Sequence, residues 1–443
     1  MDDLTDDWSG GVAELCAALI RIDTTNRGPG DAVGERVAAE VVAAMLGDEV
    51  GVEPAVLESA PRRTNVVARI PGQDPSLGAL LVHGHLDVVP AAAADWSVPP
   101  FAGEIRDGYV WGRGAVDMKD MCACVLSVVG SWRRRGVAPR RDIVLAFVAD
   151  EETGGDLGAK WLVEKHPELF DGCAAAIGES GGFSVTVDGV RLYPIGSAER
   201  GTMHMRLRAT GRAGHASRPN PDNAVVTLVS ALARVAAHRW PVQLTPTVRE
   251  FLTRAGAALD VPVDLDTDDG VDATVARLGR IGVLAAATVR NSTTLTGLTA
   301  GSAVNVIPSV AEALLDTRVL PGAPDEVLAT VDELLGPGVT RTFITRGDPV
   351  QSPFDSEWFD AMTAALLAED PDAVVLPYCL GGGTDAKAFT ALGIPTYGFG
   401  PLRLPADPAV YDHRAMAHGV DERVPVDALR FGARVLDHFL RTV

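Results

Sequence analysis

The sequence predicts an α/β fold: a mostly parallel sheet with helices on both faces, interrupted by a smaller α+β domain. Three observations support it. Short apolar runs alternate with helical stretches over the first 180 residues, the pattern changes near Arg191, and the α/β pattern resumes near Pro353. At 443 residues the chain is also too long for one ordinary core. We therefore expect a discontinuous domain with a second domain inserted into it.

The strands of the first domain are predicted from three runs that end in polar residues. These are "GALLVHGHLDVVP", "RDIVLAFVADEE" and "CAAAIGES", and a helical pattern over residues 118–135 lies between the first two. Strand–helix alternation of this kind is typical of a parallel sheet that is covered on both faces.

The inserted domain is predicted as a βαββαβ unit. Its strands are "GTMHMRLRATG", "TTLTGLTAG", "AEALLDTRVLPG" and "VTRTFIT", and its helices are Asn223–Ala237 and "APDEVLATVDELLG". This order describes a small two-layer domain. We expect residues 1–190 and 350–443 to form the catalytic domain and residues 191–349 to form a lid and dimerisation domain.

Residues 240–290 are predicted to be an irregular insertion. Their acidic run, "DLDTDDGVD", has some features of a calcium-binding loop. The glycine comes one place late, however, and Val275 stands where a bidentate glutamate should close the loop. A solvated acidic loop is the favoured interpretation.

Composition and charge exclude several classes of protein. The net charge of −20 argues against nucleic acid or an anionic membrane as a partner. The acidic start, "MDDLTDDWSG", lacks the features of a secretory signal, and no apolar run approaches the roughly 18 residues of a membrane span. The five cysteines are scattered, which favours a reducing compartment. We expect a soluble, cytoplasmic protein.

The ends of the three predicted strands carry side chains that can bind metal ions. Ligands bind beyond the carboxyl ends of parallel strands. A single histidine there is more often structural, and an acidic pair commonly caps a helix. The combination, with a further acid in a glycine-rich turn, favours a metal site. The residues are His83, His85, Asp87, Asp117, Asp150, Glu151, Glu152 and Glu179.

The sequence resembles the co-catalytic zinc hydrolases that include aminoacylase, succinyl-diaminopimelate desuccinylase and bacterial glutamate carboxypeptidase. The resemblance covers nearly the whole chain apart from residues 240–290. It rests on the motifs "HGHLDVVP", "DWSVPPFAGEIRDGYVWGRGAVDMK", "ADEETGG", "GES", "GRAGHASRPN", "NVIPSVAEALLDTRV", "GGGTDA" and "HGVDERV". It implies a zinc-dependent metallopeptidase or amidohydrolase.

The resemblance implies two zinc ions per subunit, which manganese or cobalt can replace. His85 and Glu179 would bind one ion. Glu152 and His418 would bind the other, and Asp117 would bridge the two. Metals roughly 3.5–4 Å apart can share the hydroxide that acts as the nucleophile.

The resemblance also implies roles for residues that do not bind metal. Glu151 would be the general base, and Asp87 would accept a hydrogen bond from the imidazole of His85. The alternative for Asp87 is an acid in a strand-end turn. His215 would stabilise the tetrahedral oxyanion, often from the partner subunit.

A second group matches positions that bind the free carboxylate of the substrate. It comprises Asn305, Arg318, Gly382, Gly383 and Thr384. The planar fork of an arginine suits a carboxylate, although Arg318 could instead form a surface salt bridge.

Two residues depart from the usual pattern of these hydrolases. Asp120 stands where glycine usually follows "DMK", and Ser180 replaces the small glycine or proline after Glu179. Neither change removes a metal ligand.

The resemblance implies the class of substrate. At the position of Glu179, acylases and carboxypeptidases of this family have Glu, whereas many dipeptidases have Asp. We therefore expect a small molecule or short peptide with a free carboxylate, cleaved by an N-acyl-amino-acid deacylase or carboxypeptidase. The alternatives are a metallo-dipeptidase and a catalytically silent binding protein on the same fold. A homodimer through the lid domain is expected, unless the segment after Trp240 covers that edge and leaves a monomer.

Overall fold

The computed structural model describes residues 11–322 and 324–443, which divide into two compact units. The first comprises the described residues up to Ser197, with Ser352–Pro377 and Thr384–Val443, and the second comprises Ala198–Gln351 with Tyr378–Gly383. The acidic residues 1–10, on which the expectation about a secretory signal depends, lie outside the described residues. In the part that the structure describes, no helix is long and apolar enough to cross a bilayer.

The described helices and strands have the following bounds. The helices are α1 (Gly11–Ile20), α2 (Arg36–Met45), α3 (Lys119–Arg135), α4 (Ala159–Lys165), α5 (Ala224–Ala237), α6 (Pro246–Leu259), α7 (Asp268–Arg277), α8 (Gly279–Ala286), α9 (Pro324–Leu335), α10 (Glu357–Glu369), α11 (Ala386–Thr390), α12 (His413–Met416) and α13 (Val426–Thr442). The strands are β1 (Ala55–Ala60), β2 (Arg63–Ile70), β3 (Ala79–His85), β4 (Glu104–Arg106), β5 (Tyr109–Trp111), β6 (Ile143–Val148), β7 (Cys173–Gly178), β8 (Val185–Val187), β9 (Val190–Glu199), β10 (Gly201–Thr210), β11 (Gly214–His215), β12 (Ser292–Ala300), β13 (Val306–Ile307), β14 (Val310–Val319), β15 (Val339–Gly347), β16 (Val350–Gln351), β17 (Val374–Leu380), β18 (Thr396–Gly398) and β19 (Arg423–Pro425).

The large sheet contains the strands that were predicted from the three apolar runs. Its order is β1-β2-β6-β3-β7-β18-β9-β16, and β8 and β17 also pair with β9. Its centre, β6-β3-β7-β18, is parallel, whereas β1 and β2 are antiparallel to their neighbours. His85 stands opposite Val148 in the register of β3 and β6. The carboxyl ends of β3, β6 and β7 therefore lie on one edge of the sheet.

Helices cover both faces of this sheet because its central strands are apolar on both sides. Along β3, Leu80 and Val82 belong to one buried cluster and Leu81 belongs to another. Helices α1, α3 and α13 contribute to the first cluster, and α4 and α11 contribute to the second. The predicted fold class is confirmed.

The second unit contains an antiparallel sheet of order β12-β14-β10-β15. Helices α5 and α9 pack on one face of it, where Met205, Leu228 and Val331 are buried. The chain order of these elements is β10-α5-β12-β14-α9-β15, which is the predicted βαββαβ order. The short pair β11–β13 is an addition to it.

The prediction of an irregular segment between residues 240 and 290 is wrong, because this segment contains α6, α7 and α8. The hydroxyl of Thr267 accepts a hydrogen bond from the N–H of Gly270 at 3.0 Å and caps α7. Asp268 and Asp269 then form the first turn of α7. Carboxylates are stabilised at a helix N-terminus, so the end of the acidic run begins a helix.

Candidate metal centre

Five side chains of the first unit meet at the carboxyl edge of the sheet and form two groups that share Asp117. In the first group, Nε2 of His85 lies 3.0 Å from Oδ1 of Asp117 and 3.9 Å from Oε2 of Glu179. In the second group, Nε2 of His418 lies 3.1 Å from both Oδ2 of Asp117 and Oε2 of Glu152. The two oxygens of Asp117 therefore face different groups.

The sheet topology explains why residues so far apart in sequence converge. His85 is the last residue of β3, and Glu179 directly follows β7. Glu152 lies in the 3₁₀ turn Glu151–Thr153 after β6. Asp117 precedes α3, and His418 lies in the loop between α12 and β19. The sheet edge brings together the first three, and the two loops add the others.

Left-handed backbone conformations occur at three points around this edge. They are Asp150 (φ 71°), Ser180 (φ 72°) and His418 (φ 60°). Asp150 immediately precedes the general-base candidate Glu151, and Ser180 follows Glu179. A residue other than glycine costs about 1–2 kcal/mol in this region. This explains why glycine suits the position after the ligand, where this chain has Ser180, but it gives no reason for proline there.

The histidines and Asp117 stabilise each other's charged forms. The hydrogen bonds to Asp117 and Glu152 raise the pKa of His418 to about 10. Burial opposes charge on His85, but its hydrogen bond to Asp117 raises its pKa well above the usual value. Burial also opposes charge on Asp117, yet the hydrogen bonds from the two imidazoles lower its pKa.

Around the remaining carboxyl groups of the centre, negative charges outnumber the positive charges that could balance them. Burial and the nearby Glu179 raise the pKa of Glu151, and burial and Asp117 raise that of Glu179. Burial raises the pKa of Asp385 to about 7. The buried Oε1 of Glu152 has no hydrogen-bond partner among the described residues. Imidazole and carboxylate donors, surplus charge and an unpaired oxygen all fit a pair of divalent cations.

Asp87 supports the centre differently from the predicted hydrogen bond. Nδ1 of His85 lies 2.9 Å from the main-chain oxygen of Asp87 and 3.6 Å from its carboxylate. The carboxylate instead accepts the main-chain N–H of Glu151 at 3.1 Å and of Glu152 at 3.2 Å. Asp87 thereby fixes both the ring of His85, through its carbonyl, and the turn that bears Glu151.

Two buried residues that the sequence reasoning missed extend this support. The amide of Asn26 donates to Asp87 at 2.9 Å and to Asp150 at 3.1 Å. Arg63 donates to Asp150 at 2.9 Å and, with two bonds of 2.9 Å, to Glu35. Neither residue type is among the usual ligands of zinc. The one available signal was an arginine at the start of an apolar strand, which needs a buried acidic partner.

His83 and Asp120 are buried but serve other purposes. The ring of His83 packs against that of Phe389, tilted by 44° with centroids 4.8 Å apart, and burial lowers its pKa to about 3. It is a packing residue of β3. Asp120, the departure noted after "DMK", lies in the first turn of α3, where burial raises its pKa.

His215 and Asn305 lie in the second unit and are both exposed. His215 pairs with Val306 between β11 and β13. Its Nδ1 accepts the main-chain N–H of Ser217 at 3.2 Å and lies 2.8 Å from that hydroxyl. The main-chain oxygen of Asn305 accepts the N–H of Ala216. The two residues are thus joined in one small structure.

The guanidinium of Arg318 is already engaged within the second unit. It forms two hydrogen bonds with Asp316, at 2.8 and 3.0 Å, and one with the hydroxyl of Thr202 at 2.9 Å. This is the salt bridge considered as the alternative for Arg318. Gly382 and Gly383 also belong to the second unit, whereas Thr384 belongs to the first, where its hydroxyl accepts the N–H of Ala386.

Comparison with known proteins identifies the family to which the chain is similar. The sequence model described as "Peptidase family M20/M25/M40" matches residues 81–442. Human aminoacylase-1 is 30% identical over 375 residues, 82% of this chain and 81% of that protein. The human N-fatty-acyl-amino acid synthase/hydrolase PM20D1 is 29% identical over 376 residues, 81% of this chain and 73% of that protein.

A solved structure agrees with the fold. The M20 family metallo-carboxypeptidase Sso-CP2 from Sulfolobus solfataricus has a TM-score of 0.71 and 17% identity, and the match covers 96% of this chain and 97% of that one. At this identity the likeness concerns the fold alone.

Proposed function

The chain belongs to peptidase family M20/M25/M40, and on that premise we propose that it releases an amino acid from a small substrate with a free carboxylate, as an N-acyl-amino-acid deacylase or carboxypeptidase. Family membership makes it a metal-dependent hydrolase of amide bonds. The class of substrate is the proposal.

The convergence of five ligands beside Glu151 carries this proposal. The ligands are two imidazoles and three carboxylates, a set that suits zinc and that manganese or cobalt can also use. We propose two zinc ions per subunit, with Asp117 as the shared ligand.

We propose Glu151 as the general base. Two metal ions held by these ligands would polarise the scissile carbonyl and lower the pKa of a water molecule. In this role Glu151 would accept a proton from the attacking water and donate it to the leaving nitrogen. Its main-chain N–H is held by Asp87, and its half-buried carboxyl has a raised pKa, which suits a group that must accept and release a proton.

We propose His215 as the donor to the oxyanion. Its Nδ1 accepts a hydrogen bond from a main-chain N–H, so the neutral ring carries its proton on Nε2. An N–H donor of this kind can stabilise the negative charge that develops on the carbonyl oxygen.

Carboxylate recognition is proposed for Asn305, Arg318, Gly382, Gly383 and Thr384. The two named human relatives support an N-acyl amino acid as the substrate, since one is an aminoacylase and the other a hydrolase of N-fatty-acyl-amino acids. For Arg318, two hydrogen bonds to Asp316 and one to Thr202 support a pre-oriented guanidinium, because they fix three of its N–H groups.

A homodimer through the second unit remains a proposal. Strand β12 lies at an edge of its sheet and exposes Leu298 by 62%. An exposed apolar edge strand favours pairing with another chain. Sedimentation at micromolar concentration would give twice the mass of the chain, whereas the mass of one chain would contradict the proposal.

The test of function compares three matched substrates: an N-acetyl amino acid, the free dipeptide with the same C-terminal residue, and the N-acetyl amino acid amide. We expect the first to be hydrolysed and the amide to be poor, because it lacks the carboxylate. Hydrolysis of the dipeptide alone would favour the dipeptidase. Stoichiometric metal binding without hydrolysis of any of the three substrates would favour the catalytically silent binding protein.

A further inference from the structure

A buried ion pair lies between the two loops that supply Asp117 and His418. Arg113 precedes Asp117 by four residues, and Glu422 follows His418 by four. Their side chains are 4% and 0% exposed, and Nη1 of Arg113 lies 2.6 Å from Oε2 of Glu422. The pair therefore joins parts of the chain that are about three hundred positions apart in sequence.

Glu422 fixes the main chain at Asp117. Its Oε1 accepts the N–H of Val116 at 2.7 Å and that of Asp117 itself at 3.2 Å. Its Oε2 accepts the N–H of Gly114 at 3.2 Å. A carboxylate held by several main-chain N–H groups acts like an anion in a backbone nest and sets the path of the turn.

Arg113 fixes the main chain at His418. Its Nη2 donates to the carbonyl oxygen of His418 at 3.3 Å and to that of Gly419 at 3.1 Å. His418 has a left-handed backbone (φ 60°), a conformation that persists only where neighbouring groups hold it. The hydrogen bonds from Arg113 hold the carbonyl that follows this conformation.

A contribution to folding stability does not explain why this ion pair lies between the two loops that bear metal ligands. A buried ion pair is weak evidence for stability, since desolvation offsets its attraction. An ion pair with a buried acid provides a comparison: Asp437, 2% exposed, accepts from Trp132 at 2.7 Å and from the half-buried Arg135 at 3.1 Å. Those residues lie on α3 and α13, and they bridge helices instead of the turns that bear metal ligands.

We propose that Arg113 and Glu422 are positioning residues, which hold Asp117 and His418 at the spacing that a metal ion requires. The inference depends on the proposed metal centre and adds to it a pair of residues that touches neither metal nor substrate. Supporting residues of this kind typically change metal affinity by about 10–100-fold.

The test measures zinc affinity and stoichiometry by competition with a chromogenic chelator, with thermal unfolding in parallel, for Glu422→Gln, Arg113→Lys and the control Asp437→Asn. We expect Glu422→Gln to weaken zinc binding about 10–100-fold. Arg113→Lys keeps the charge but loses the planar fork. It should weaken binding of the zinc ion at Asp117, Glu152 and His418 and leave one equivalent of tightly bound zinc.

Asp437→Asn should lower the unfolding temperature and leave both zinc affinities unchanged. The proposal is overturned if Arg113→Lys and Glu422→Gln bind two equivalents with wild-type affinity while unfolding earlier, as the control does. Arg113→Lys decides the question if Glu422→Gln does not fold. Because the measurement is of metal binding, it judges this pair even if the proposed substrate class is wrong; a wild-type chain that binds no metal would overturn both proposals.

Discussion

At the scale of single residues, Glu151 and Glu152 are neighbours with different proposed tasks. Glu152 lies 3.1 Å from His418 within a ligand group, whereas Glu151 belongs to neither group. The Asp87 carboxylate accepts the main-chain N–H of both residues and so fixes the turn in which they lie. A conservative change of Glu151 should therefore remove the base and leave the ligands in position.

Glu151→Gln tests this separation. We expect two equivalents of bound metal, as in the wild type, and a fall in kcat of about 10²–10⁴-fold because the amide cannot accept the proton. Metal analysis and steady-state kinetics on the same preparation are the measurements. Glu164→Gln, on the exposed face of α4, is the control and should leave kcat unchanged. A Glu151→Gln enzyme with wild-type kcat would exclude this residue as the base.

Arg318→Lys tests carboxylate recognition. Lysine cannot keep the fork to Asp316 or present a planar pair of donors to a carboxylate, so KM for an N-acyl amino acid should rise about tenfold or more. The amide of that substrate should be hydrolysed as poorly as by the wild type. Arg341→Lys is the matched control, because Arg341 lies on β15 and forms a comparable ion pair with Asp332 of α9. Equal losses on the acid and the amide would mean that Arg318 has only a structural role.

The metal ligands of the centre could be predicted from the sequence, whereas the residues that hold the main chain around them could not. His85 and Glu179 are ligand types at strand ends, so their spacing and chemistry indicated a site. Arg113 and Glu422 were not singled out, because they contact each other and main-chain groups, and such contacts leave no signal in the spacing of ligand types. The sequence predicted that Asp87 accepts a hydrogen bond from His85. In the structure its carboxylate instead accepts the main-chain N–H groups of the turn that follows β6.

At the scale of elements, periodicity identified the strands that deliver the ligands. Strands β3 and β6 are buried along their whole length and β7 over its last four residues, and all three consist mainly of apolar residues. Helix α7 was missed because an acidic run with a glycine is typical of a loop. The capping hydroxyl of Thr267 makes the same residues the first turn of a helix.

The start of α5 provides a test at this scale. The side chain of Asn223 accepts hydrogen bonds from the N–H groups of Val225 at 3.0 Å and Val226 at 3.4 Å. Asn223→Ala should lower the free energy of unfolding by about 1 kcal/mol, because those N–H groups lose their partner. Asn223→Asp keeps an acceptor and should retain most of the stability. Chemical denaturation measures both, and equal losses in the two variants would contradict the capping role.

At the scale of the whole molecule, the buried carboxyls make the metal-free protein sensitive to pH. Burial raises the pKa of Glu35, Asp385 and Glu422 to about 7, from 4.5, 3.8 and 4.5. Hydrogen bonds to carboxylates raise that of His418 from 6.5 to about 10. Between the usual pKa of each group and its raised value, the folded state therefore binds more protons than the unfolded state.

The metal-free protein should therefore lose stability from about pH 6.5 to pH 8, because stability falls wherever the folded state holds the extra protons. Outside this window the lowered pKa values of His83 and Lys119 act in the opposite direction. Two bound cations should reduce this loss, since they favour the deprotonated ligands. Thermal unfolding after chelation and after zinc is restored, across this range, measures both effects. A metal-free protein that becomes more stable with rising pH would contradict the assignment of these buried groups.

The central claim is that five side chains hold two metal ions around Asp117, and anomalous diffraction from zinc-loaded crystals tests it most directly. We expect two peaks roughly 3.5–4 Å apart. One should lie among His85, Asp117 and Glu179, and the other among Asp117, Glu152 and His418. A single peak, or peaks that do not have Asp117 as a common ligand, would contradict the account.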